Sequence, residues 1–586
     1  MRQWMVAAKK ADFYAIAEKF HVDPVVARII RNREVIGEKN IRIYLGGNLS
    51  DLSDPHQMKD MDRLVEILVQ KIRKQVRIRI IGDYDVDGVT SSHLFLTALR
   101  RVGAKVDVVI PHRIQDGYGL SLHLLQQAKE DGVDTILTCD NGIAAIDEIA
   151  WAKAQKMTVL VTDHHAVPFE EHEGRRTEKK SLADAVVNPH QQDCGYPYKE
   201  LCGAGVAWNV IRVLYENYDM DKREAEDLLD FVAMATVCDV MSLTGENRIL
   251  VKEGLKRIRH TKNIGLQALM QACNVQPENI SAYHFGYVLG PCVNATGRLD
   301  TARHALRLFE TGQETEAEEI ARDLVDLNQE RKELTLQGVE MAKKLCEEGG
   351  YENDPILVLF LPDVHESIAG LIAGRIREMY NRPVFVLTRG EEGVKGSGRS
   401  TENYSMYENM CGCAELFTKF GGHPMAAGLS LPEENVEKFR RKINENCPLT
   451  VEEVCPDIHI DMAMPVGYAS TELVHQFALL EPFGKDNPSP LFADRNLSIS
   501  RMWVIGKNRN VLRMSVLSEY GQPVPVIFFG DVETLFAYFT EKFGQEEVEN
   551  ALHGRKNRIL FSMVYTAKVD FYQGNENLQL EMKYYR

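Results

Sequence analysis

The sequence predicts an α/β protein: a doubly wound parallel sheet, a long connecting helix, a second α/β unit and a small C-terminal β-barrel. Three observations predict this. From about Leu64 to Met241, apolar β-branched runs alternate with helical stretches, the pattern of a parallel sheet with crossover helices. The stretch Ala302–Glu347 is rich in Glu, Lys, Arg and Leu and lacks proline, as a long helix joining two domains requires. After Asp457 the chain breaks into short β-rich runs punctuated by Gly, Asn and Pro, which reads as a barrel.

Taken in order, the first fifty residues read as helical, with FHVDPVVARIIRNR as an N-capped amphipathic segment. Arg77–Gly82, Lys105–Pro111, Thr135–Cys139, Thr158–Thr162 and Ala185–Asn188 are the expected strands of the first sheet. The polar segment Glu170–Lys180 reads as an exposed insertion. Phe231–Val240 is apolar and ends at Asp239, and its period does not distinguish helix from strand. The second unit starts at PILVLFLP, passes through a helix at Ser367–Tyr380 and returns at PVFVLT. LSISRMWVIGK, VLRMSVLSEY, PVPVIFFG and ILFSMVYTAKVDFY are the barrel strands. The expected domains are therefore 1–50 (helical), 51–300 (first α/β domain), 301–349 (connecting helix), 350–456 (second α/β unit) and 457–586 (barrel).

At 586 residues the chain is too long for one core. No apolar stretch reaches membrane-spanning length, and Met1–His21 carries Lys and Asp where a secretory leader needs an apolar core. Eleven cysteines without repeated CxxC spacing suit reduced thiols, so a cytoplasmic location is expected. The net charge of −16 argues against nucleic-acid binding only if read globally, because binding follows local fields. Lys71–Arg79 (KIRKQVRIR) and Arg501–Arg513, with four cations and no acid, each read equally as solvated faces or contact surfaces.

The chemistry lies where the apolar runs end. Asp83, Asp85 and Asp87 follow RIRII, Asp140 follows TILTC, Asp163, His164 and His165 follow VLVT, and Asp239 ends FVAMATVC. The carboxyl ends of parallel strands converge on one crevice. A lone Asp after a strand is usually a helix cap, but three at alternate positions repel one another unless a cation holds them. Carboxylates with imidazoles and no thiolate pattern suit Mn²⁺ or Mg²⁺, and two such ions make a phosphoester-hydrolysis site that needs no Ser or Cys nucleophile. GVKGSGRS (Gly393–Ser400) lacks the ending of a nucleotide-binding Walker loop. Its small residues and its Ser397 and Arg399 donors suit backbone approach to a phosphate, while a tight hairpin explains it equally well if it stands alone.

DYDVDG, CDNGI, TDHH and CDV, in this order, resemble the four motifs of the DHH phosphoesterase superfamily. NPHQQDCGYPYKELCGAGVAW, GPCVNATGRLDTA, GVKGSGRS, GGHPMAAGLSL and EPFGKDNPSPLF are similar to its RecJ exonuclease branch. The resemblance implies a DHH domain, a DHHA1-like second unit and an OB-fold, a scaffold known for gripping single strands. It makes Asp85 and Asp87 the main ligands of the first motif, with Asp83 assisting. Asp140 is then the bridging ligand, with His164 and Asp239 completing the second site. Asp163 becomes a carboxylate that orients an imidazole, and His165 faces the scissile phosphate as a hydrogen-bond or proton donor.

Some relatives carry His at the position of Ile81, a departure that weakens one metal site or throws it more onto Asp83. Arg113, Arg298, Ser397, Arg399 and His423 are the implied substrate-binding residues. The implied activity is metal-dependent 5′-to-3′ hydrolysis of single-stranded DNA, with a 5′ phosphate, in repair and recombination. Single-strand-binding protein and a helicase are the implied partners, with no membrane. The rivals are a phosphodiesterase for short oligonucleotides, cyclic dinucleotides or pyrophosphate, which would lack the barrel, and a non-catalytic replication scaffold, which would have lost metal ligands. Trp503, Phe528, Phe529 and Tyr565 are read as core more readily than as stacking platforms, and EPFG as a domain-joining turn.

Overall fold

The computed structural model describes residues 3–586 apart from 114, 115, 118, 173, 174, 352, 391, 392, 448, 456, 507–509 and 573. It divides into two compact units, the first comprising residues 52–241 and 246–456 and the second residues 3–51, 242–245 and 457–586.

In the first unit, β1 (Arg77–Ile81), β2 (Lys105–Val109), β3 (Thr135–Cys139), β4 (Thr158–Thr162) and β5 (Ala185–Val187) form a sheet in the order β2-β1-β3-β4-β5. Every pairing is parallel, as continuous runs buried on both faces require. The order reverses direction between β1 and β3, which makes a crevice at their carboxyl ends. Helix α1 (Val86–Arg101) leaves β1, and α2 (Gly203–Asn217) and α3 (Leu229–Cys238) pack against it. The ambiguous run Phe231–Val240 is therefore helix, so Asp239 follows a helix while the other three motifs follow strands. The insertion at 170–180 contains an antiparallel hairpin, Phe169–His172 with Arg175–Glu178; its residues 173 and 174 lie outside the described residues. The basic stretch Lys71–Arg79 is largely neutralised. Arg77 and Arg79 bind Asp107 at 2.6 and 2.8 Å, and Lys71 binds Asp134.

After α4 (Ile264–Ala272) and α5 (Gly290–Leu299), the expected long helix is α6 (Glu314–Glu348). The second sheet joins β6 (Leu357–Phe360), β7 (Val384–Arg389), β8 (Val394–Arg399), β9 (Lys419–His423) and β10 (Ala426–Leu431), in the order β9-β10-β8-β7-β6. Helix α7 (Ala369–Tyr380) packs on β7 and β8. GVKGSGRS is thus neither loop nor hairpin turn. It is strand β8, paired on both edges, so its amides serve the ladder and are not free to cradle a phosphate. Its glycines serve packing. A Cβ at Gly396 would come within 2.4 Å of Leu387, and one at Gly398 within 2.6 Å of Met406.

In the second unit, Phe492–Ile505, Val511–Leu517, Pro523–Phe529, Asn575–Tyr585 and Leu560–Tyr572 run in that order around a sheet. The last closes on the first, giving a five-stranded barrel of OB-fold connectivity. The first fifty residues are not wholly helical: Trp4–Val6 is a strand paired with Ile458–Ile460. Val26, Ile29, Ile41 and Tyr44 from this segment share one apolar core with Phe477, Phe492, Phe539 and Phe561. In the EPFG turn the Glu481–Pro482 peptide is cis. Asn487 donates to the carbonyls of Leu480 and Pro482 at 2.8 Å and accepts from the Tyr44 hydroxyl.

Candidate metal centre and phosphate pocket

Asp83 and Asp85 leave the end of β1, Asp140 leaves β3, and Asp163 and His164 leave β4, so the sheet's switch point gathers them without long side-chain reaches. The turn around β1 is tight. A Cβ at Gly88 would lie 2.5 Å from the Asp83 backbone, which is why only glycine lets α1 start so close. Asp85 caps that helix, its Oδ1 accepting from Gly88 N at 3.0 Å.

Two donor sets result, each with ligand atoms within 4.8 Å of one another: Asp83, Asp85 and Asp140; and Asp87, His164 and Asp239. Asp140 also groups with His164 and His165. His164 Nε2 stands 3.0 Å from Asp140 and 3.6 Å from both Asp87 and Asp239. Ile81 is wholly buried and packs in an apolar cluster with Leu124 and Ile136, so it supplies no donor.

Asp163 stands behind the imidazoles. Its Oδ1 accepts from the amides of His164 and His165 and contacts His165 Nδ1 at 2.8 Å, while Oδ2 accepts from Ile143 N. Burial alone would raise its pKa, but the His165 contact and the neighbouring imidazoles hold it below the usual range. The same balance works in reverse on His165. Burial lowers its pKa, and the Asp163 contact with the surrounding carboxylates pushes it up to about 9. The Asp87 carboxylate is fixed by a feature the sequence reading missed: Oδ2 accepts from Gly203 N at 2.6 Å and Oδ1 from Ala204 N at 2.7 Å. The signal was the CGAG opening of α2, where a helix amino end presents free amides to an anion.

The donor set suits hard divalent cations. Asp83 Oδ1 and His164 Nε2 are buried without a hydrogen-bond partner among the described residues. Burial first, then mutual repulsion, pushes Asp83, Asp85 and Asp140 above the usual carboxylate range. Such a cluster calls for compensating positive charge. The neighbouring Cys139 thiol is pushed up to about 12 by burial and offers no thiolate for a softer metal.

Beside this cluster lies a cavity of about 420 Å³, lined by Tyr84, Arg113, Ser367, Lys395, Ser397 and Lys419 among others. Lys395, Ser397 and Arg399 alternate along β8 and so share one face. Arg113 stacks over the Tyr84 ring at 4.9 Å; residues 114, 115 and 118 of its segment lie outside the described residues. Arg399 shares that strand face but is not among the residues that line the cavity; it lies under α7, where a Cβ on Gly370 would come within 2.9 Å of its guanidinium. Arg298 donates to Ser367 O at 2.7 Å. Burial first, then Arg113, Arg331 and Arg399, lowers its pKa to about 10. His423 is not brought here: it is exposed on edge strand β9 and does not line the cavity. Lys395 and Lys419 were missed, although the alternation of VKGSGR as a strand would have shown Lys395.

Family models match three stretches: the DHH family, N-terminal domain, over 77–236; the DHHA1 domain over 353–447; and the RecJ OB domain over 460–584. The single-stranded-DNA-specific exonuclease RecJ of Haemophilus influenzae is 32% identical over 581 residues, covering 96% of each chain. The chain belongs to the RecJ family. RecJ of Bacillus subtilis is 33% identical over 512 residues; the match covers 87% of this chain and 63% of that protein. Among solved structures, RecJ of Thermus thermophilus in complex with Mn²⁺ aligns over 100% of this chain and 79% of that one, with a TM-score of 0.81 and 25% identity. No helix among the described residues is long and apolar enough to cross a membrane.

Proposed function

We propose that the chain is an exonuclease that hydrolyses phosphodiester bonds of single-stranded DNA from the 5′ end, in repair and recombination. The observation that carries this reading is the metal-suited cluster beside a cavity that presents Arg113, Ser397 and Lys419. The relatives' names specify single-stranded DNA, and the closed barrel argues against a substrate of only two or three nucleotides. The intact ligand set argues against a decayed scaffold.

Asp83, Asp85 and Asp140 would hold one Mn²⁺ or Mg²⁺, and Asp87, His164 and Asp239 the other, with Asp140 next to both. Bound there, the cations supply a nucleophilic water at neutral pH and absorb charge on the departing oxygen. Asp163 holds the His165 ring through Nδ1 at 2.8 Å, and the protonated imidazole donates to the scissile phosphate. Arg113, Ser397 and Arg399 take the 5′ phosphate, Lys419 adds to that field, Lys395 adds less because Glu366 pairs with it at 2.8 Å, and Arg298 is the further phosphate contact of this reading. His423 serves only if a longer strand reaches β9. The domains we assign are 1–50, 51–300, 301–349, 350–456 and 457–586. A cytoplasmic location and contact with single-strand-binding protein and a helicase belong to the same reading.

End-labelled single- and double-stranded DNA and RNA, incubated with Mn²⁺ or Mg²⁺, test it. Mononucleotides should appear from the 5′ end of single-stranded DNA. Internal cuts, or equal loss of duplex, would overturn it.

A further inference from the structure

Helix α1 carries a second polar group that the proposed hydrolysis does not use. His93 sits two turns beyond Asp85 and Asp87, is 5% exposed, and has no hydrogen-bond partner at Nδ1 among the described residues. Its ring packs against Phe231 and Phe309 at centroid distances of 4.5 and 5.8 Å. Burial holds the imidazole neutral, with a pKa lowered to about 3. A buried ring nitrogen left unpaired is costly, so its persistence calls for an explanation.

His93 lines a cavity of about 800 Å³, within the range of small-molecule sites. From α1, His93, Thr97 and Arg100 line it at i, i+4 and i+7 and therefore share one face. Phe231 and Phe309 give it an aromatic wall, and Lys256, His260 and Lys262 line its other side. Two of these cations are loosely held: Arg100 reaches Glu310 only at 3.7 Å, and Lys262 reaches Asp227 at 3.3 Å. Lys256 binds Glu253 at 2.6 Å. Of the three acids that line the cavity, Glu310 and Asp227 make those two longer contacts, and Asp230 is already satisfied by the Thr261 hydroxyl at 2.6 Å and the Phe231 amide at 2.8 Å. Helix α4 begins at this cavity with Asn263 as its cap, adding positive potential.

An aromatic wall of mutually tilted rings, with Phe231 and Phe309 edge to face at 73°, a neutral hydrogen-bonding ring and a cationic rim together fit one ligand class. We propose that this cavity binds a nucleoside monophosphate, its base against Phe231, Phe309 and His93 and its phosphate on Arg100, Lys256 and Lys262. The site has a route to the metal centre. Helix α1 runs from Asp85 and Asp87 to Arg100, and α3 runs from Phe231 to Asp239, so a ligand here bears on both carboxylate-carrying helices. The source of the ligand rests on the reading above, in which mononucleotides are the product; the site would then report product back to the active centre.

Equilibrium dialysis of the full chain against dAMP in excess chelator tests this. The phosphate pocket of the proposed function also accepts a nucleotide, so Arg399→Ala serves as the background that silences it. The wild type should bind two dAMP and Arg399→Ala one. His93→Leu in that background should weaken the remaining site about tenfold or more, and so should the exposed pair Lys256→Glu with Lys262→Glu, which decides the matter if His93→Leu unfolds. A single dAMP that vanishes with Arg399→Ala overturns the proposal. Binding indifferent to His93 and the lysines does the same, as does inorganic phosphate binding as tightly as dAMP. A chain that fails to cut DNA yet keeps the second dAMP sinks the exonuclease reading alone.

Discussion

The Gly203 amide donates to Asp87 Oδ2 at 2.6 Å, and a Cβ on Gly203 would come within 2.6 Å of the Asp140 Cβ. One glycine therefore fixes a carboxylate of one donor set while leaving room for a carboxylate of the other. Gly203→Ala should move both and lower metal affinity about 10- to 100-fold, the usual cost of disturbing groups that orient ligands. Titration of Mn²⁺ against the variant would show this; unchanged affinity would mean that α2 packs more loosely than its contacts imply.

The donor sets predict opposite effects on activity and stability. Asp140→Asn and His164→Ala should each reduce hydrolysis by orders of magnitude. In chelator, however, Asp140→Asn should melt at a higher temperature than the wild type, because it removes one charge from a buried, mutually repelling cluster. Added Mn²⁺ should raise the wild-type melting temperature and leave the variant's nearly unchanged. Near wild-type cleavage by either variant would rule out the two-metal arrangement.

Much of this site was legible because its chemistry depends on residue types at strand ends. Asp83, Asp85, Asp140 and His164 lie where continuous apolar runs stop, and a parallel sheet makes those stops converge. Asp239 was legible as a residue but not as a position, since the run Phe231–Cys238 before it is almost wholly apolar and carries no period to separate helix from strand. The glycines of GVKGSGRS misled in a definite way. Small residues suit both an anion-binding loop and a strand pressed between Leu387, Leu429 and Met406, and only the pairing on both edges separates the two. The Asp87–Gly203 contact spans 116 residues of sequence, and no local pattern encodes such a pairing.

The phosphate pocket makes a sharper claim about substrate ends. Arg399→Ala should reduce the preference for 5′-phosphorylated over 5′-hydroxyl strands while leaving Mn²⁺ binding intact. Ser397→Ala should act in the same direction more weakly, because a hydroxyl gives a neutral donor where the guanidinium gives a charged one. Comparing rates on the two labelled strands checks both, and full preference in Arg399→Ala would place the end-binding pocket elsewhere.

Asp230 predicts a pH effect remote from the metals. Burial pushes its carboxyl up to about 6, against roughly 4 in an unfolded chain. The folded state therefore retains a proton that the unfolded state has lost between those values. Stability from this group is full below about pH 4, declines as pH rises to 6, and stays lost above it, a change on the order of 2–3 kcal/mol. Asp230→Asn cannot titrate, so its melting temperature should fall less than the wild type's between pH 4.5 and 7. Parallel curves would show that Asp230 stays ionised in the fold.

The barrel carries the last prediction, and its structure decides which variant to make. Removing residues 457–586 would strip the core from the N-terminal helices, since Val26, Ile29 and Tyr44 share it with Phe492 and Phe561. Point changes on the surface avoid this. Of the four aromatics in question, Tyr565 and Phe528 are buried, with the Tyr565 hydroxyl donating to Met464 O at 2.9 Å, and Phe529 is exposed. Trp503 is 37% exposed, stands 5.7 Å from the Arg501 guanidinium and pairs across the ladder with Arg513. Lys507 and Arg509, the other cations of this segment, lie outside the described residues. Arg501, Trp503 and Arg513 thus present two charges and a ring on one exposed face, the combination that tracks phosphates and stacks bases. Replacing all three with Ala should weaken binding to long single strands and flatten the slope of log K against log salt by up to about 1.4, or 0.7 per lost phosphate contact. Trp503→Ala alone should weaken binding without changing the slope. A triple variant with wild-type affinity and slope would show that the strand does not follow this face.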